Sequence, residues 1–291
     1  LERAWEDVFG QKMPYHPHQC GPLLSFGTWV GGDRDGHPFV TASVTQETLG
    51  ELRQSALTLL DPRLEELAKT LSVSKNMVET PLNLLKAIEK SCLAIGPPSQ
   101  DIMDRNRDEP WRQFVSLMRF RLHQTQTPLL FDDAGNATNH TGRYLSAHEL
   151  DQDLERCEES LFDIGEYRLA KMYVRPVRRI VQSLGFHCAK LDIRQNSAFH
   201  ERAIEQLLTA SGAQETAYST WDEERRLQFL RAELNSLRPF TGEGVALEPE
   251  AHAIVDCFRV LSSEVKQRGV DGLGSLIISM TRSLSDLLVV Y

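Results

Sequence analysis

Phe26-Gly27-Thr28-Trp29-Val30-Gly31-Gly32-Asp33-Arg34-Asp35-Gly36-His37-Pro38 is the stretch whose reading decides the fold. An apolar, β-prone run from Leu23 to Val30 leads into two adjacent glycines, an acid–base–acid triplet, a third glycine and a proline. The pattern predicts a strand that delivers charge to its own end. Glycines permit backbone conformations that a Cβ forbids and let another group approach the main chain closely. Residue types alone leave a surface turn open as the alternative, because Gly, Asp and Pro dominate turns for local reasons. Trp29 favours a site, since a large aromatic beside three charges suits a pocket with one apolar and one polar wall.

Two other stretches repeat the arrangement. Phe186 to Asn196 is a short, mostly apolar run ending in Asp192-Ile193-Arg194-Gln195, followed by a helix capped at Asn196 or Ser197. Gly274-Ser275-Leu276-Ile277-Ile278-Ser279-Met280 is apolar and β-branched, with Ser285-Asp286 placed to cap the next helix. Between these runs the periodicity is helical. A helix begins at Thr45, read as its N-cap, and is interrupted at Asp61-Pro62; others cover Trp111 to Gln124, Ser146 towards Tyr173 with a kink or restart at Pro176, Glu223 to Leu237, and Glu250 to Arg268 up to Gly269. Continuous apolar strands belong to parallel sheets. In a parallel β/α barrel the functional groups gather at the strands' carboxyl ends, where this sequence puts Asp33/Arg34/Asp35, Asp192/Arg194 and Ser279. The fold expectation is therefore a mainly α protein with a partial parallel β/α (TIM-type) barrel, three barrel strands with long helical insertions, in one partial domain over residues 1–291.

Composition narrows the function classes. The 291 residues are 41% hydrophobic and 25% charged, ordinary for a soluble globular protein. A net charge of −9 argues against sequence-independent nucleic-acid binding, which depends on clustered cations, so no nucleic-acid partner is expected. Five cysteines without a C-x-x-C pair predict a reducing compartment and no disulfide framework. His16, His18 and Cys20 lack a second cluster to complete a metal site, and Asp33-Arg34-Asp35-Gly36 puts its glycine two positions early for a calcium loop; no metal ligand is expected here. No apolar run reaches the ~18 residues of a membrane span, and no signal peptide precedes the first element, so a cytoplasmic protein with no membrane partner is expected. Both ends read as cuts through a longer protein. The mixed charges from Asp101 to Arg121 predict a solvated face.

The stretch from Phe26 to Pro38, together with Leu191-Asp192-Ile193-Arg194-Gln195 and Ile277-Ile278-Ser279-Met280 with Ser285-Asp286, resembles phosphoenolpyruvate carboxylase in order and approximate spacing. The resemblance covers essentially the whole sequence, which is about a third of a full-length member. It implies a mostly helical, cytosolic, tetrameric barrel enzyme that converts phosphoenolpyruvate and bicarbonate into oxaloacetate and phosphate with Mg²⁺ or Mn²⁺, an anaplerotic carbon-fixing lyase feeding the tricarboxylic acid cycle. In that family bicarbonate attacks the phosphate to give carboxyphosphate and the enolate of pyruvate, and released CO₂ carboxylates the enolate.

Carried over residue by residue, the resemblance makes Arg194 a ligand of the substrate phosphate, a role that suits a guanidinium fork. Spacing alone leaves Arg194 the alternative of an ion pair with Asp192 or a neighbouring acid. Trp29 would wall the substrate pocket; Arg34 would add positive charge or, pinned between Asp33 and Asp35, hold the loop's shape. Gly31, Gly32, Asp33, Asp35, Gly36, Asp192, Gln195 and Ser279 would shape the site. His37 departs from the asparagine common in the family. The family's catalytic histidine, metal-binding acids, catalytic lysine and glycine- and arginine-rich loop fall outside residues 1–291, so no catalytic residue is expected within them, and His187, His200 and His252 read as packing or surface. The alternative is a non-catalytic helical interaction or regulatory domain that keeps the barrel motifs as relics.

Overall fold

The computed structural model describes residues 2–11, 24–35, 37–130, 138, 141–236 and 245–291, with the side chains of residues 2–5 left aside. Gly36, Leu23, the His16/His18/Cys20 group and most of the Phe131 to Arg143 stretch lie outside them, as does Leu237. Among the described residues the chain is mostly helical with one three-stranded parallel sheet, and it forms two compact units. No helix among the described residues is long and apolar enough to cross a membrane.

The first unit holds residues 1–26 and 56–188. Its helices include Leu82–Ile95, Ser99–Arg105, Pro110–Gln126, Ala147–Asp163 and Arg175–Leu184. Their apolar faces close on a core in which Leu64, Leu84, Trp111, Phe114, Leu117, Met118, Leu150, Leu154 and Leu161 are buried. Trp111 spends its one polar atom on the Ser160 hydroxyl, Nε1 donating over 2.9 Å, as a buried indole N–H must.

Three expectations change here. Asp61-Pro62 does not end a helix: the segment Ala42–Thr70 runs through Pro62. An interior proline costs ~3 kcal/mol or more, and the burial of Leu57, Leu60, Leu64 and Leu67 on both sides of it offsets that. The long helix expected from Ser146 breaks at Gly165, with φ +80°. The chain is helical again from Tyr167, and after a π-turn, Ala170–Val174, which accommodates the proline, an α-helix restarts at Arg175 with Pro176 in its first turn, as expected. Finally, the basic residues of Pro110–Gln126 are not all on a solvated face. Arg121 lies 3.9 Å from the Tyr144 ring centroid and pairs with Asp153 at 2.8 Å.

The second unit holds residues 27–55 and 189–291. Strands β1 (Gly27–Thr28), β2 (Lys190–Asn196) and β3 (Leu273–Ser279) run parallel in that order. Leu191 and Ile193 of β2 are buried against Leu49 and Cys257, which the helices Ala42–Thr70 and Pro249–Arg268 supply. β1 is much shorter than the Leu23 to Val30 run, because the carbonyl of Trp29 already accepts from Gly32 N and Asp33 N, 2.9 Å each, and turns the chain out of the sheet.

The Asp61 carboxylate accepts from Arg119 Nε at 2.7 Å and lies 2.5 Å from His123 Nε2, and Arg119 foremost holds it below the usual aspartate range. A lowered folded-state pKa contributes stability above the unfolded value near 3.8 that is lost as pH falls through the folded value. Asp61→Asn is therefore expected to cost about 1–2 kcal/mol at neutral pH, with the gap to wild type closing below pH 3.8. Urea denaturation across pH 2–7 checks this; a gap that stays constant over that range would refute it.

Candidate functional site

The three strand ends are brought together by backbone pairing. After the Trp29 turn the chain returns to β2: Arg194 N donates to Gly32 O and Arg34 N to Arg194 O, 2.9 Å each, with Asp33 bridged to Arg194. Between the Thr28–Leu191 and Asp33–Arg194 pairs the first segment advances five residues while β2 advances three. The surplus is one tight turn standing at the carboxyl end of the strand. Gly31 takes φ +84°, and a Cβ there would fall on the Thr48 hydroxyl. At Gly32 a Cβ would fall on the Asp192 carbonyl, so this glycine is what lets the turn lie against β2.

The charges expected at this end divide by environment. Arg194 is about one third exposed and sits between Trp29, whose ring centroid is 5.9 Å from Cζ, and Asp33, whose Oδ2 is 3.6 Å from Nη1. That separation is too long for a hydrogen bond. Its Nε is buried with no hydrogen-bond partner among the described residues. Trp29 itself is more than half exposed. The acid facing Arg194 is thus Asp33, while Asp192 turns to β3, where its carboxylate accepts from Ser275 N at 2.7 Å. The same carboxylate packs over Gly274, at the register shift between Leu191 and Ile193. Asp33 also accepts through Oδ1 from Asp35 N at 3.1 Å, a local turn contact.

Arg34 does not lie pinned between its neighbouring acids. Its guanidinium is buried and meets the Thr45 hydroxyl at 2.5 Å, with Gly32 O and Thr41 O at 3.4 and 3.5 Å. It also lies beside Cys257, whose thiol burial pushes up against the pull of that cation. Gln195 is buried, its Oε1 accepting from Asn196 N at 2.8 Å. Ser279 pairs in register with Asn196, and its Oγ is buried without a partner among the described residues. The next residue, Met280, holds φ +57° while its carbonyl accepts from Ser197 Oγ at 2.9 Å. Asn196 caps the helix after β2 by accepting from Ala198 N. Ser283 sits at the cap of the helix after β3, with Asp286 reaching back to Arg282 N at 2.7 Å. His37 is exposed and edge-on to Phe39, His252 lies 3.3 Å from Asp256, and buried His200 is brought down to about 4 by desolvation, against the pull of Asp286.

Sequence reasoning missed two groups. Thr45 is not the N-cap. Its helix starts at Ala42, with Thr41 Oγ1 accepting from Val44 N at 3.4 Å, while the Thr45 hydroxyl serves the loop. Arg282 joins Glu201 at 2.5 Å to Asp286 at 3.0 Å, and Glu201 also takes Arg226 at 2.5 Å, tethering the chain after β3. Nothing in spacing alone marks either.

Fold and site together define a mostly helical protein with a parallel sheet, charged side chains at the carboxyl ends of its strands and one arginine there incompletely paired. The phosphoenolpyruvate carboxylase family model matches residues 1–291, and the chain belongs to that family. A phosphoenolpyruvate carboxylase of Rhodopseudomonas palustris (strain HaA2) is 35% identical over 272 residues, covering 94% of this chain and 28% of that relative. One of Azorhizobium caulinodans is 34% identical, covering 98% and 30%; one of Azoarcus sp. (strain BH72) is 33% identical, covering 99% and 31%. The chain thus spans less than a third of the length of these curated relatives.

The close approach at Gly32 gives a direct test. Gly32→Ala is expected to destabilise by about 2–3 kcal/mol, because the methyl meets backbone that cannot move aside. Gly50→Ala, in a helix with nothing near the added methyl, is expected to stabilise by about 1 kcal/mol. Parallel urea titrations decide it; equal effects of the two substitutions would refute the assignment of Gly32.

Proposed function

We propose that this chain is the part of a phosphoenolpyruvate carboxylase that binds the phosphate of phosphoenolpyruvate, with its three parallel strands forming part of a β/α barrel. The observation that carries the reading is Arg194: a cation at the carboxyl end of β2, about one third exposed, opposed by one acid at 3.6 Å and walled by Trp29. Arginine presents several donors at fixed charge to phosphate oxygens, and this guanidinium makes no hydrogen bond among the described residues. Trp29 supplies the apolar wall that keeps water from a reacting enolate. Asp33 and Asp35 hold the loop, as do Gly31 and Gly32; Asp192 and Gln195 hold β2 and its neighbours, and Ser279 stands at the end of β3. Arg34, buried among hydroxyl and carbonyl oxygens, braces the loop instead of meeting substrate.

In the proposed reaction phosphoenolpyruvate and bicarbonate give oxaloacetate and phosphate. This chain's contribution is to bind and orient the phosphoryl group through groups already in place. Among the described residues no three His, Cys, Asp or Glu side chains stand together to hold a metal ion. The side chains that would hold the Mg²⁺ or Mn²⁺ of the proposed enzyme are therefore placed outside residues 1–291, where the metal would supply positive charge to the phosphoryl group. Chemistry would be completed by residues elsewhere in a cytoplasmic, tetrameric enzyme.

Two outcomes are expected. The 291-residue chain alone gives no oxaloacetate from phosphoenolpyruvate, bicarbonate and Mg²⁺ in a coupled assay. In the full-length protein carrying this chain, Arg194→Ala raises KM for phosphoenolpyruvate about 100-fold, the cost of a lost charged contact, with the unfolding temperature unchanged. Lost stability with unaltered KM would favour the non-catalytic helical domain instead.

A further inference from the structure

Thr45 is fully buried, and its hydroxyl stands where the turn and the first helix meet. The hydroxyl donates to Gly31 O at 2.7 Å and accepts from Arg34 Nη2 at 2.5 Å. A hydroxyl has one proton and two lone pairs, so both contacts are made at once and the more distant Thr41 O, at 3.3 Å, is secondary. Arg34 in turn reaches Gly32 O with Nη1 at 3.4 Å. That carbonyl is the one that accepts from Arg194 N at 2.9 Å. One hydroxyl thus governs two consecutive carbonyls of the turn, one directly and one through a buried guanidinium.

The consequence falls on Arg194. The turn sets where Trp29 and Asp33 stand, and these are the two groups that flank the Arg194 guanidinium. Arg34 carries a full charge in a buried place where no acid among the described residues pairs with it; oxygen contacts are what make that burial tolerable. Removing the Thr45 hydroxyl takes away its shortest contact, and the guanidinium must then move towards other oxygen or water. Such movement carries Gly32 O with it.

We infer that Thr45 is a positioning residue, acting through Arg34 and the Gly31–Gly32 carbonyls to hold Trp29 and Asp33 in register with Arg194. This rests on the reading of Arg194 as the phosphate ligand. A group that orients a ligand of the ground and transition states alike alters KM and leaves kcat in place.

The test uses the full-length protein and four variants, Thr45→Val, Thr45→Ser, Arg34→Lys and Arg194→Ala, with steady-state kinetics in phosphoenolpyruvate and thermal unfolding. Thr45→Val is expected to raise KM about tenfold, the size of one lost hydrogen bond to a charged group, with kcat within about twofold of wild type. Thr45→Ser keeps the hydroxyl and is expected to match wild type. Arg34→Lys keeps the charge but loses the fork that reaches both Thr45 and Gly32, and is expected to give the same split as Thr45→Val. A folded Thr45→Val with wild-type KM overturns the inference, as does a serine variant as impaired as valine, which would make the side chain a matter of packing. Should Thr45→Val not fold, Arg34→Lys decides: a wild-type KM there overturns it. If Arg194→Ala itself leaves KM unchanged, the phosphate reading fails, and that result is distinct from failure of the Thr45 positioning role alone.

Discussion

Two backbone hydrogen bonds, Arg194 N to Gly32 O and Arg34 N to Arg194 O, are the contacts on which the rest of the site depends. Each contributes only ~1 kcal/mol net. Their weight is geometric: β1 and β2 are parallel neighbours separated by more than half the chain, and nothing local can set their register. Once Asp33 is bridged to Arg194, the turn must project beyond the strand end, and Trp29 and Asp33 are left on either side of the Arg194 guanidinium. Gly32 is the condition for this pairing, since a Cβ would occupy the place of the Asp192 carbonyl.

From that pairing follows a division of labour between two arginines that look interchangeable in sequence. Arg34 is drawn inward to Thr45 and two carbonyls, and no acid among the described residues pairs with it. Arg194 is held outward against one acid at a distance that leaves the pair loose. A buried guanidinium turned to protein oxygen is closed to a ligand; one about a third exposed, with a distant counter-charge, keeps donors for it. Asp192 shows the same logic among the acids. It stands two residues from Arg194, yet the N–H freed at the β3 irregularity claims it.

The strands' carboxyl ends were legible because an apolar run stopped by Asp-x-Arg-Gln or by Gly-Gly-Asp-Arg-Asp marks where a strand ends, even where residue types alone left a surface turn open. Helices with a clean apolar stripe, such as Pro249–Arg268 ending at Gly269, were legible for the same reason. What could not be read was any outcome decided by a partner distant in sequence. Pro62 stays helical because four leucines around it are buried in a core that periodicity does not reveal. Thr45 has the composition of a cap and the place of one, but Thr41 lies four residues earlier and does that work, which frees the Thr45 hydroxyl for Gly31 and Arg34. Which acid faces Arg194 was open between Asp192 and others, and only the β3 backbone resolves it.

β3 carries the argument one step further. Its run Leu276-Ile277-Ile278 is as apolar as a strand covered on both faces, yet Leu276 and Ile277 are exposed, and the strand has a partner on one side only among the described residues. Parallel sheets are covered by other elements on both faces, and an apolar strand with an open edge is a surface that stable proteins pair or cover. β2, with neighbours on both sides, buries Leu191 and Ile193. The contrast between these two strands of like composition is a contrast in what lies beside them, and it accords with the proposal that the sheet continues as part of a barrel. The same continuation would enclose Ser279 and Met280, the residues at which β3 delivers its own end to the site.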